Sequence, residues 1–208
     1  MTSDPRIPRS ENEAIAPSAP GKAELRQQLL AVRRAFDADT RARWDQAIGR
    51  QVVAWWRETR PATLGVYWPL RGEPDLAAAY AQLAALGAQL LLPVVVARDA
   101  PLEFADWRIG EAMVKDGMGV AVPADLRVQP YPAALLVPCL GFNAQGYRLG
   151  YGGGFYDRTL ARVPRPVTVG IAYSASQVAF EAGGYDVALD RIVTETTPAS
   201  IGFPPARE

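Results

Sequence analysis

Short, almost continuously apolar runs alternate along this chain with segments whose apolar residues recur every three to four positions. "TLGVYW", "QLLLPVVV", "ALLVP" and "VTVGIAY" are apolar on both alternating sets of positions, the pattern of strands covered on both faces. Strands alternating with helices in this way predict an α/β fold with a mostly parallel central sheet flanked by helices on both faces. With 208 residues, 49% of them hydrophobic, there is apolar surface for one full core. There is no internal repeat and no second-domain boundary, so residues 22–208 read as a single domain.

Along the chain, "KAELRQQLLAVRRAF" places Leu25, Leu29, Val32 and Phe36 at helical spacing and predicts an amphipathic helix over 22–36. A second helix is expected to follow Asp39 or Thr40, with Trp44, Ile48, Val52 and Trp55 turned to the core. Asp75 is expected to cap "DLAAAYAQLAALG", a helix ended by Gly87. Pro93 removes a ladder donor and argues for an edge or bulge position. "PLEFADWR" reads as a shorter strand, "DGMGVAVP" as an irregular connection, "FYDRTLARV" as a helix and "RIVTE" as a last short strand.

The chain contains no histidine and one cysteine, Cys139. This removes Ser-His-Asp and Cys-His nucleophilic machinery in their usual forms, and with them His- or thiolate-based zinc sites. Any catalysis must use carboxylates, Arg, Lys, Tyr, backbone amides or a hard, oxygen-liganded cation such as Mg²⁺. Cys139 ends an apolar run with nothing to activate it and reads as a core thiol. Basic and acidic residues balance at 22 each, so no overall field recruits nucleic acid or an anionic membrane. No apolar run approaches the roughly 18 residues that span a bilayer. Residues 1–21 are polar and rich in proline and read as a disordered extension without a signal core. A lone cysteine fits a reducing compartment; a cytoplasmic monomer is the expectation.

"RLGYGGGFYD", Arg148–Asp157, sets four glycines between an arginine and an aspartate, just after the buried strand "ALLVP" and before a helix. Glycine costs roughly 0.5–1 kcal/mol relative to alanine inside a regular element, so a tight turn or a close approach of backbone to ligand should compensate. A glycine turn at the carboxyl end of a strand is where open α/β sheets bind ligands, and unpaired amides there form an anion nest. G-x-G-x-x-G fails at Phe155 and the P-loop pattern is absent. The residues alone leave an anion site and a mobile turn both open.

Read as one unit, "PCLGFNAQGYRLGYGGGFYDRTL" resembles the signature of the 5-formyltetrahydrofolate cyclo-ligase family. "KAELR", "YWPLRGEPDL" and "YDVALDRIVTE" agree in order, so the resemblance covers residues 22–195. It implies ATP- and Mg²⁺-dependent conversion of 5-formyltetrahydrofolate to 5,10-methenyltetrahydrofolate with release of ADP and phosphate. It also implies that Arg148 and the segment Gly150, Tyr151, Gly152, Gly153, Gly154 cradle the ATP phosphates, with Lys22, Arg26 and Tyr156 on the same nucleotide. Lys22, Arg148 and Asp157 are the implied catalytic residues, and Asp157 and Asp186 the magnesium acids. Trp68, Glu73 and Phe155 are the implied folate contacts. Phosphoryl transfer depends on positioning and charge neutralisation, so a chain without histidine is suited to it.

Many family members carry lysine where this chain has Gly153, some an aromatic near Met118, and others His or Trp at Tyr185. Two competing readings are a catalytically inactive folate- or nucleotide-binding regulator and a phosphosugar-binding protein of similar fold. The first should have lost Lys22, Arg148, Asp157 or Asp186, and the second does not account for the long signature.

Overall fold

The computed structural model describes residues 20–197; residues 1–19 of the expected N-terminal extension lie outside them. Helix α1 (Lys22–Ala35) buries Leu25 and Leu29, but its inward row continues through Arg33, 1% exposed, while Val32 is 42% exposed. Positions 25, 29 and 33 form one i, i+4 row, so the apolar stripe expected through Val32 gives way to a buried cation. Helix α2 (Ala38–Thr59) starts earlier than expected because Asp37, not Asp39 or Thr40, is the cap: its Oδ1 accepts the Thr40 N–H at 2.8 Å. It turns Ile48, Val52 and Trp55 fully inward. Helix α3 (Ala77–Ala85) has its first amide bonded to Asp75 Oδ1 at 2.9 Å, and the chain leaves it through left-handed Gly87. None of the helices among the described residues is long and apolar enough to cross a membrane.

The strands are, in chain order, β1 (Leu64–Gly65), β2 (Leu90–Val94), β3 (Glu103–Trp107), β4 (Met113–Lys115), β5 (Ala121–Pro123) and β6 (Val128–Gln129). They continue with β7 (Ala134–Pro138), β8 (Gly141–Phe142), β9 (Arg148–Leu149), β10 (Val167–Ile171) and β11 (Arg191–Val193). Among the described residues seven strands form the main sheet in the order β11-β10-β7-β1-β2-β3-β6. The pairs from β11 to β2 are parallel; β3 and β6 are antiparallel. Pro93 is not on an edge strand, since β2 lies between β1 and β3. The carbonyls of Gln89 and Leu91 accept from Leu64 and Val66 of the β1 segment, so Pro93 turns its nitrogen to that same side, past the end of β1. No ladder donor is lost there.

Alternation along the strands divides the core. Leu64, Leu90, Leu92, Leu136 and Ile171 pack under α2 and α3, while Leu91, Leu135 and Val137 pack with Leu160 of α4 (Phe155–Leu160) on the other face. Each fully buried leucine contributes roughly 1.5–3 kcal/mol, so both faces need their helices. Helix α4 is shorter than the expected segment. The stretch expected to be an irregular connection is a β4–β5 hairpin, whose turn is closed by Asp116 Oδ1 accepting from the Met118 and Val120 amides at 2.9 Å. β7 does not run straight into the glycine segment: the β8–β9 hairpin intervenes, its turn held by Asn143 Oδ1 on the Gln145 and Tyr147 amides.

From central β1 the chain builds outward to β2 and β3, then returns to β7 on the opposite side and continues to β10 and β11. Connections leaving β1 and β7 therefore diverge, which opens a crevice at the carboxyl ends of these neighbours. α1 lies across that end, packing Leu25 and Leu29 on Leu140 and Leu149.

Candidate active site

A cavity of about 570 Å³ occupies this crevice. Every residue given a role by the resemblance lines it: Lys22 and Arg26 from α1, Trp68 and Glu73 from the loop after β1, Arg148 and Gly150–Asp157 from β9 onward, and Asp186 from the loop before β11. Residues 164 positions apart, Lys22 and Asp186, meet at 2.6 Å.

One wall is ionic. The Arg148 side chain is 5% exposed; its Nη2 stands 2.9 Å from Asp157 Oδ1, and its Nη1 is buried with no hydrogen-bond partner among the described residues. Lys22 Nζ pairs with Asp186 Oδ2, which also accepts the Gly183 N–H at 2.8 Å. Burial works against the Asp186 carboxylate, yet the Lys22 ammonium and the Gly183 amide outweigh it and hold the carboxyl below its ordinary value. Arg26 Nε donates to Gly150 O at 2.8 Å, so the like charges on α1 are anchored to different partners.

The turn itself needs glycine at two points: Gly152 has φ 95° and Gly154 φ 65°, both left-handed. Gly153 has no such requirement, but a Cβ there would stand 3.0 Å from the Phe155 ring, so lysine at this position requires the ring to move. Arg158 supplies a cation beside it, donating to Gly153 O at 2.8 Å and Arg98 O at 3.0 Å and lying over the Phe155 ring.

The other wall centres on one buried carboxylate. Glu73 is 5% exposed and accepts from the Leu70 N–H and the Tyr151 hydroxyl, each at 2.9 Å. Burial pushes its carboxyl above the ordinary value in spite of those bonds. Trp68 stands partly exposed, edge-on to Trp107 at 6.0 Å between centroids. Burial likewise raises the Tyr156 phenol, which lies under the Arg148 guanidinium. Cys139 is fully buried with its thiol pushed up to about 12, the inert core group expected.

Comparison with known proteins decides the family. Residues 18–195 match the sequence model of the 5-formyltetrahydrofolate cyclo-ligase family. The chain belongs to that family. A 5-formyltetrahydrofolate cyclo-ligase from Mycolicibacterium smegmatis is 31% identical, over 83% of this chain and 93% of its own. Another, from Mycoplasma pneumoniae, is 28% identical over 84% and 98%. The solved 5,10-methenyltetrahydrofolate synthetase structures from Mycoplasma pneumoniae and Aquifex aeolicus superpose with TM-scores of 0.68 and 0.75, at 28% and 25% identity. They cover 84% and 89% of this chain, and 98% and 96% of those structures.

The cyclo-ligase cavity also has walls that sequence reasoning did not assign. Tyr67, Arg71 and Asp116 line it, with Arg71 at φ 51° and its guanidinium over the Tyr151 ring. Behind them is Arg33, whose only sequence signal was its place four residues after Leu29 on the buried row. For a divalent ion, Asp157 and Asp186 each keep one oxygen outside any hydrogen bond or ion pair among the described residues. No group of three or more acidic, His or Cys side chains that could hold a metal exists among the described residues. Magnesium fits this poor donor set, because it keeps several waters and takes one or two carboxylates together with phosphate oxygens.

Proposed function

We propose that this cyclo-ligase converts 5-formyltetrahydrofolate and ATP to 5,10-methenyltetrahydrofolate, ADP and phosphate in a magnesium-dependent reaction at the described cavity. The observation that carries the reading is Arg148, a buried guanidinium on the cavity wall with one nitrogen unpartnered beside a left-handed glycine turn. A buried donor without an acceptor costs roughly 1–3 kcal/mol, more when charged, and a phosphate oxygen relieves that cost.

A formyl amide oxygen is a poor leaving group, so it is first made into a good one. The formyl oxygen attacks the γ-phosphorus and ADP leaves, giving a phosphorylated oxygen on an iminium carbon. The N10 lone pair attacks that carbon, the carbon–oxygen bond breaks with its electrons going to phosphate, and the N10 proton passes to solvent. No step needs a base titrating near neutrality, in keeping with a chain free of histidine. Arg148, Lys22, Arg26 and the amides of Gly150–Gly154 hold and orient the phosphates, and Tyr156 packs beneath Arg148. Asp157 and Asp186 hold Mg²⁺, which supplies charge neutralisation on the phosphate oxygens. Trp68 and Phe155 offer aromatic faces to a flat pterin, and Glu73 fixes its hydrogen-bonding edge.

Near-ultraviolet absorbance of the methenyl product tests this directly. Signal is expected only with both ATP and magnesium present; product formed without nucleotide, or none with both, overturns the proposal.

A further inference from the structure

The reaction above leaves one buried charge unused. Arg33 sends its side chain to three segments at the switch point. Nη1 donates to the Tyr151 hydroxyl at 2.9 Å, Nη2 donates to Cys139 O at 2.7 Å, and its Cγ and Cδ lie 3.5 Å from where a Cβ on Gly72 would stand. These are the glycine turn, the end of β7 and the loop after β1. A buried cation needs compensation, and Arg33 makes no direct ion pair among the described residues. Its counter-charge stands one bond further on. Arginine has no acceptor, so the Tyr151 oxygen accepts from Arg33, and the single phenol proton is left for Glu73 Oε1 at 2.9 Å. The second Glu73 oxygen is fixed by the Leu70 amide.

We infer that Arg33 is a positioning residue for the folate side of the site, setting through Tyr151 where the Glu73 carboxylate stands on the cavity wall. This rests on the reading of Glu73 as a folate contact. Tyr151 lies inside the glycine turn, so the folate wall is tied to the turn that holds phosphate. Besides Arg33 and Tyr151, Glu73 faces Arg71 of its own loop, Tyr67 after β1 and Tyr80 of α3. Cys139 after β7 and Tyr156 of α4 face it from the other side. Burial keeps those phenols and the thiol protonated, leaving Arg33 and Arg71 as the cations acting on Glu73.

Steady-state kinetics on Tyr151→Phe, Arg33→Met and Glu73→Gln, with KM measured separately for each substrate, test the inference. Tyr151→Phe keeps the ring and the amide of the turn and removes only the hydroxyl. It should raise the folate KM about tenfold and the ATP KM less than twofold, the scale of a hydrogen bond to a charged group. The acid limb of kcat/KM for folate should move to higher pH, because a donor that favours the carboxylate is gone. Arg33→Met should do the same, and Tyr151→Phe should add nothing to Glu73→Gln. If Glu73→Gln raises the folate KM while Tyr151→Phe moves neither KM nor the limb, Arg33 is only packing and the inference fails alone. An unchanged folate KM in Glu73→Gln overturns the reading of Glu73 and the inference with it. Should Arg33→Met not fold, Tyr151→Phe decides.

Discussion

The two walls of the cavity handle charge in opposite ways. On the nucleotide wall, Lys22–Asp186 and Arg148–Asp157 are ion pairs with at least one partner partly in water, and each retains unsatisfied atoms: one oxygen on each aspartate and Nη1 of Arg148. On the wall proposed for folate, Glu73 is 5% exposed and both its oxygens are occupied. The cations that act on it, Arg33 behind Tyr151 and Arg71 over the Tyr151 ring, make no direct ion pair with it among the described residues. Partly hydrated pairs with spare capacity accept a polyanion without being dismantled. The buried chain from Arg33 through Tyr151 to Glu73 has Arg33 Nε without a partner among the described residues, but each bond that links its members is made. Changing its shape breaks those bonds, which is costly, so it holds one geometry. Under the proposed function, the first wall binds through charge and the second through placement.

The comparison breaks hardest at Arg148. Arg148→Met should lower kcat/KM about 1,000-fold, about 4 kcal/mol, and Arg148→Lys should recover little because lysine lacks the fork that serves Asp157 and a phosphate together. A loss under tenfold would mean that phosphate is held elsewhere. Next comes Asp157→Asn, for which kcat should fall at least about 100-fold, about 2.7 kcal/mol, in a magnesium titration of methenyl formation. Asp157 is also the counter-ion of a buried arginine, so the apo protein of this variant should melt a few degrees lower instead of holding steady as a purely metal-binding role would predict. Near-normal turnover at low magnesium would leave only the counter-ion role. Lys22→Ala is the milder case: the ammonium is 34% exposed, so the ATP KM should rise about tenfold while folate affinity without ATP holds. A folate-selective loss would move Lys22 to the other wall.

These walls were not equally legible in sequence. The wall proposed for the nucleotide lies mostly in one contiguous run from Arg148 to Asp157, where glycine density and position after a strand left an anion site and a mobile turn both open until the family resemblance chose between them. Lys22 and Asp186, far apart in the chain, became assignable only through the family resemblance. Behind the folate wall, Arg33 was hidden because helical periodicity is read from apolar residues: Val32 fits the stripe by type, yet Arg33 occupies the buried row. Hairpins β4–β5 and β8–β9 were missed for a related reason. Their turns are closed by Asp116 and Asn143 side chains on nearby amides, and strands of two or three residues carry too little alternation to register. Pro93 misled because the rule for edges concerns the missing donor, and a short β1 leaves that donor without a partner inside the sheet.

The smallest expected effect is also the one whose sign separates the walls, and it is read in the stability of the apo protein. Asp186 has its carboxyl held below the ordinary value, so its contribution is present above pH about 4 and is lost as pH falls through the folded-state value. The pair is partly exposed, which limits that contribution to roughly 0–1 kcal/mol, or at most about 4 °C in melting temperature. Asp186→Asn should therefore melt slightly below the parent protein at neutral pH, and the gap should close at acid pH. Glu73 has the opposite shift: burial raises its carboxyl, so the folded state loses stability relative to the unfolded chain as pH rises through the folded value. Glu73→Gln does not titrate, so its melting temperature should gain on the parent protein as pH rises from the ordinary glutamate range toward neutrality. Thermal unfolding of both variants across that range, without ligand, compares the slopes directly. Slopes of the same sign would mean that Glu73 gains as much from its Tyr151 and Leu70 partners as Asp186 gains from Lys22, and the contrast between a wall of charge and a wall of placement would disappear.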